Sequence, residues 1–258
     1  MIQAKPVILN SLIRTTLIAT GLMLLWHIIV ATTGAPPYML PAPMTVLSAT
    51  LVHSALLADH AIVTAMEMLF GLLLGIISGG STALLMAMWR HIKQWLLPIL
   101  VISQALPVFA IAPILVLWLG YGMASKVAMA TLVIYFPVTV AIYDGLSNMP
   151  KAWVEQASIM TGKHPTRSLR IIFHILLPAA LPTISAGLRV ATAVVPIGAV
   201  VGEWVGSSAG LGHLMLLSNA KMQTDIMFAA LFCLAGMGLS LYCGVDMAMR
   251  YLTRHHRS

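Results

Sequence analysis

Four ionisable residues sit inside long apolar stretches of this chain: Glu67, Asp144, Arg189 and Glu203. A charge in such surroundings is costly, so it marks a pathway, a ligand contact or a buried pair. Arg189 and Glu203 share one stretch at positions 14 apart, which is about 21 Å on a continuous helix. They face roughly the same side without touching, and Pro196 between them is a place for a kink. An ion pair with another helix, or snorkelling to an interface, competes with a functional role for each. Glu67 and Asp144 lie near the ends of their stretches, where an interfacial position explains them equally well. Gly187, Ala191, Ala193, Gly198 and Gly202 lie beside Arg189 and Glu203. This stretch is therefore the candidate lining of a path, with Arg189, Glu203 and Gly198 as candidate path residues; helix packing accounts for the small residues as well.

The remaining chemistry is sparse. His27, His53, His60, His91, His164, His174 and His213 show no ligand spacing, and His255–His256 lies in a basic tail without a Cys or acidic partner. No nucleophile elbow and no H-E-x-x-H zinc motif occurs. The Gly162–Lys163 pair has Ala157 where a phosphate loop needs its first glycine. No catalytic residue, metal ligand or cofactor site is assigned, and ATP hydrolysis by the chain itself is not expected. Cys233 and Cys243 are ten residues apart in one apolar run, too far to bridge along a helix.

The elements that must carry these residues follow from composition. Of 258 residues, 60% are hydrophobic and 8% charged, and the mean hydropathy is +0.95. Soluble domains carry about 25% charged residues, so a soluble enzyme, a disordered tail and a disulfide scaffold are excluded. The short alternating segments of a β-barrel do not dominate. The chain is all-α: a polytopic transmembrane bundle of about six spans, near 15–33, 61–88, 97–119, 127–147, 183–204 and 226–248. The Pro-rich segment Gly34–Pro43 is a loop, and Met44–Leu57 is a short amphipathic surface helix. Residues 171–188 mimic a span, but Pro178 and Pro182 assign them to a loop entering the fifth span; a seven-span layout is the alternative. Gly71, Gly75 and Gly79 form small-xxx-small steps suited to close helix packing.

Eleven of the 14 Lys and Arg residues fall on one side of this layout, with Lys126 and Lys221 opposite and Arg189 inside span five. Both termini are accordingly cytoplasmic by the positive-inside rule. The charge of +7 is spread over alternate loops rather than gathered into a stripe, which argues against nucleic acid. Lys5 and Arg14 before an apolar core have the outline of a signal peptide, but that core is long for cleavage and is kept as span one.

The longest cytoplasmic connection, residues 149–182, joins helix formers to Lys151, Lys163, Arg167 and Arg170 and closes with LLPAALP. On physical grounds it is an amphipathic docking element for a soluble partner or a membrane-surface helix. Its order resembles the EAA loop of ABC importer permeases. Gln156-Ala157-Ser158 stands at the Glu-Ala-Ala position with Glu155 just before it, Gly162 is at the expected spacing, and Ile175–Pro178 forms the close. LPAP (40–43), ALPVFAIAPILVLWLGYG (105–122), GLRVA (187–191) and VVGEW (200–204) are similar to the nitrate/sulfonate/taurine-type permeases. Within that group, residues 196–215 and 219–232 look most like permeases for pyrimidine precursors of thiamine.

This resemblance implies a single permease domain over 1–258 with a core of about 61–248 and the type I importer fold in the inner membrane. Glu155, Gln156, Ala157, Gly162, Leu177 and Pro178 become the ATPase-coupling residues. It further implies a homodimer, two ABC ATPase subunits that supply ATP and Mg chemistry, and a periplasmic or lipid-anchored substrate-binding protein. The expected cargo is a small polar nutrient, of hydroxymethylpyrimidine type or else sulfonate-, taurine- or nitrate-like. The competing function is a stand-alone secondary transporter driven by an ion gradient, which wants inverted repeats with broken helices near mid-depth. No repeat is evident, although Pro107, Pro113, Pro137 and Pro196 are places where spans could break.

Overall fold

A computed structural model describes residues 4–149 and 172–255. The described chain is helical: α1 (Ala4–Thr33), α2 (Pro43–Val52), α3 (Ser54–Met88), α4 (Arg90–Ala105), α5 (Val108–Leu119), α6 (Met123–Ser147), a π turn at Ile172–Leu176, α7 (Leu177–Gly206), α8 (Leu211–Ala220) and α9 (Thr224–His255). Five of these helices are long and apolar enough to cross a bilayer, and counting the α4–α5 pair as one more span gives six. Large apolar side chains stand exposed on the outer faces, among them Leu22, Leu73, Ile77, Val190 and Leu239. Hydrocarbon is the solvent that accepts such a surface.

Three segments differ from the sequence expectation. The third span is not straight. It breaks at Leu106–Pro107, and α4 and α5 meet at 103°. Leu106 and Pro107 are both extended, because a residue preceding proline is driven out of the helical region. Pro113, Pro137 and Pro196 remain inside their helices. The second difference is at 171–188, expected as a loop. It is helical from Ile172 and continues into α7. Ile172, Leu176, Ala180, Ile184 and Leu188 recur every four residues and are all buried, which is the period of one helix face. Pro178 falls at the start of α7, where its missing N–H costs no bond. Helix α3 also starts earlier than expected, at Ser54, so the surface helix before it stops at Val52.

Helix α6 lies at the centre, packed along its length against α3 and α7. In lipid no hydrophobic gain drives helices together, so close van der Waals contact must do so. Gly71 and Gly75 on α3 leave room for Ala130 and Ile134, whose side chains a methyl group at either glycine would overlap. On the other flank, a Cβ at Gly198 would lie 2.7 Å from the Ala130 Cα. Ala130 therefore has a glycine on each side. Around it Ile134, Val138, Ala191, Val195 and Ala199 are 0% exposed. Helix α1 sits apart: none of its apolar window is buried, and Trp26 stacks on Phe228 of α9 at 5.8 Å between ring centroids.

Gly198→Leu is expected to lower folding stability by about 1–3 kcal/mol or more through overpacking. Gly236→Ala, which meets nothing within 4 Å, should leave stability unchanged. Thermal unfolding of the detergent-solubilised protein compares the two.

Candidate functional site

At the outer end of the bundle, outer by the charge distribution above, α7 stops at Gly206 and the chain turns through Ser207–Gly210 into α8. The first N–H groups of any helix lack intrahelical partners and carry its positive dipole end. Here a carboxylate from the preceding helix fills that role. Glu203, 1% exposed, accepts hydrogen bonds from the backbone N–H of Gly212 and from that of His213 at 3.2 Å. The Thr64 hydroxyl of α3 donates to it at 2.6 Å and accepts from the Leu211 N–H at 2.8 Å. Gly210 has φ +114° and lies against the Glu203 carboxyl, so a side chain there meets both backbone strain and overlap. His60 Nδ1 lies 3.0 Å from the Gly210 nitrogen and 2.9 Å from its oxygen. The Trp204 indole donates to the Gly212 carbonyl at 3.1 Å. Gly210 and the first turn of α8 are thereby tied to α3 and α7.

A second buried contact adjoins the first. Lys126, in the first turns of α6, places its Nζ 2.6 Å from Glu67 Oε1, with the two side chains 6% and 0% exposed. The same ammonium donates to the Ser207 hydroxyl at 2.9 Å. Glu203 lies within electrostatic reach of Glu67. Four elements therefore converge on one polar cluster: α3 through Thr64 and Glu67, α6 through Lys126, α7 through Glu203, and the turn before α8 through Ser207. The sequence reading placed Glu67 near an interface and Lys126 in a loop; both are inside the helix packing. Their signal was the opposite sign of two charges bordering neighbouring apolar stretches.

The other candidate path residues lie elsewhere. Arg189 Nε is 2.7 Å from Asp246 of α9, and Asp246 also pairs with Arg250 one turn on. Arg189 and Glu203 are thus separated and engage different helices, Arg189 in an ion pair and Glu203 in hydrogen bonds. Gly198 is buried against α6. An open cavity of about 490 Å3 lies between α4, α6 and α7, nearer the cytoplasmic end. Gln104, Asp144 and Thr183 supply its polar groups, with Phe136 and Val190 among the apolar ones. The sequence reading named Asp144 but neither Gln104 nor Thr183, which are ordinary polar residues in apolar stretches. Of the expected coupling residues, Leu177 and Pro178 open α7, and Leu177 packs against the core. Glu155, Gln156, Ala157 and Gly162 lie outside the described residues. Among the described residues no group of three or more His, Cys, Asp or Glu could hold a metal, and Cys233 and Cys243 are free.

Gly210→Ala should destabilise the protein by about 1–3 kcal/mol, because it adds overlap with Glu203 to the strain of a positive φ. Gly120→Ala, at φ +80° but facing open space, should cost less. Thermal unfolding in detergent of the two variants side by side gives the difference.

Residues 71–258 match the family described as binding-protein-dependent transport system inner membrane component. A probable ABC transporter permease protein of Haemophilus influenzae is 51% identical over 235 residues, covering 91% of this chain and 94% of that one. The formylaminopyrimidine transport permease protein ThiX of Halalkalibacterium halodurans is 34% identical over 228 residues, with 88% and 89% covered. The riboflavin transport system permease protein RibX of Chloroflexus aurantiacus is 34% identical over 239 residues, with 92% and 88% covered. In fold, the chain is similar to a chain of the MetNI methionine ABC transporter in inward-facing conformations, with TM-score 0.65 and 17% identity over 78% of this chain and 98% of that one. The buried charges, the interlocked spans and these likenesses agree: the chain belongs to the binding-protein-dependent inner membrane component family and is a multi-pass permease subunit of an ABC importer.

Proposed function

We propose that two copies of this chain form the membrane path of an ABC importer that carries a pyrimidine precursor of thiamine, of the hydroxymethylpyrimidine type, into the cytoplasm. The observation that carries the substrate is the 34% identity to the formylaminopyrimidine permease across 88% of the chain. The cavity between α4, α6 and α7 supports it. Gln104 and Thr183 offer hydrogen bonds to ring nitrogens and exocyclic groups, and Phe136 offers an aromatic face. The riboflavin permease at the same identity supplies the competing cargo, a larger nitrogen heterocycle.

In this reading ATP and Mg act in two partner ATPase subunits, and a periplasmic or lipid-anchored protein delivers substrate. Closure of the ATPases pushes on Lys151–Gly162, with Glu155, Gln156, Ala157 and Gly162 in the docking surface and Leu177 and Pro178 at the root of α7. The push shifts the spans between inward- and outward-open arrangements, the two-state element that alternating access needs. This chain performs no covalent step.

The test is uptake by proteoliposomes holding the chain, its ATPase subunits and its binding protein. Radiolabelled hydroxymethylpyrimidine should accumulate only with ATP inside, and excess unlabelled taurine should not compete. Uptake of riboflavin but not the pyrimidine overturns the substrate, and uptake driven by an ion gradient alone overturns the mechanism. Gly162→Asp should abolish uptake while ATP hydrolysis by the assembled complex continues; unaltered uptake refutes the docking role of the loop.

A further inference from the structure

The cluster around Lys126 is not explained by stability. A buried ion pair gives little net stability over an apolar pair of the same volume, because desolvation offsets the attraction. What a buried pair does supply is geometry. Its charged groups accept one arrangement, whereas apolar surfaces slide at small cost. The arrangement here links parts that covalent structure leaves loosely joined. Helices α6 and α7 flank the cytoplasmic segment 150–171 and run from it to the outer end. Beyond α7 the chain reaches α8 through the non-helical turn Ser207–Gly210, where no helical ladder transmits force. Lys126 bridges that gap, reaching Glu67 on α3 at 2.6 Å and Ser207 on the turn at 2.9 Å. The Ser207 hydroxyl in turn donates to the Ala209 carbonyl and accepts the Ala209 N–H at 3.1 Å. The charged and titratable groups facing the cluster are Glu67 and His60 from α3, Lys126 from α6, Glu203 from α7 and His213 from α8.

We infer that Lys126, with Glu67 and Ser207, is a positioning joint that makes α8 and the turn before it move as one body with α3, α6 and α7, so that displacement at the cytoplasmic loop is delivered to the outer surface where a binding protein sits. The inference rests on the importer reading above. It assigns Lys126, Glu67 and Ser207 to coupling rather than to the substrate path.

Two variants test it in the assembled complex with ATPase subunits and binding protein. Ser207→Ala removes the link from Lys126 to the turn and leaves the Lys126–Glu67 pair intact, so no buried charge is orphaned. The double variant Glu67→Leu/Lys126→Met replaces the pair by apolar side chains of similar volume. Both should assemble and hydrolyse ATP at the basal rate. In both, stimulation of hydrolysis by the loaded binding protein, and uptake, should fall by about fivefold or more, the lower bound of a typical coupling free energy. Lys126→Arg, which can bridge two partners with its planar fork, should recover part of the stimulation that the double variant loses. If Ser207→Ala keeps stimulation and uptake within about twofold of the unaltered complex, the joint is structural only and the inference fails, whether or not the double variant accumulates. If the unaltered complex itself shows no ATP-driven uptake, the importer reading fails instead, a result the variants do not produce.

Discussion

The bundle depends on how close α6 comes to its two neighbours. Inside a membrane, helix pairs gain nothing by hiding apolar surface from water, so their affinity comes from contact at short range. Ala130 sits between Gly71 and Gly198, and neither glycine position has space for a methyl group. This contact sets the spacing of α3, α6 and α7. It also fixes where the charged groups at their outer ends fall. Lys126 meets Glu67 and Ser207 at 2.6 and 2.9 Å across this spacing, so both contacts depend on it.

The polar cluster and the apolar core therefore serve different purposes within one interface. Small residues give proximity along most of the length. The cluster gives direction at one end, where Glu203 receives the exposed N–H groups of α8 and Lys126 holds the turn. Neither carboxylate opens to the lipid: Glu67 and Glu203 are 0% and 1% exposed. A buried carboxylate at a helix start is satisfied by backbone donors and dipole together, which explains why VGEWVGSSAGLGH carries four glycines around one glutamate. Those at 210 and 212 give the carboxyl its room, and Gly202 lets α7 approach the Lys126 backbone.

Much of this architecture was legible in the sequence, and the gaps have physical causes. The spans were visible because hydropathy is a sum over some 20 residues, and the orientation because Lys and Arg counts are equally coarse. The packing role of Gly71, Gly75 and Gly79 was visible from their spacing. Pro107 was one of four prolines at which a span could break, and nothing in the sequence singled it out, since Pro113, Pro137 and Pro196 show that proline alone does not decide where a helix stops; neighbouring helices do. The helical start at Ile172 was missed because two prolines outweighed a four-residue apolar period that was present throughout. Lys126 was misplaced by a few residues, enough to turn a buried partner of Glu67 into a loop charge. Pairing across helices depends on depth and rotation together, and a single chain read linearly carries neither. The loop residues from Glu155 to Gly162 were legible as a motif and stand outside the described structure.

Helix α1 gives a last consequence. An aromatic clasp between Trp26 and the rings of Phe228 and Phe232 attaches it to α9, while its flanks face outward. It is an outrigger to the bundle: the helices from α2 to α9 pack on one another without it, so a change confined to the outward flanks of α1 touches none of those contacts.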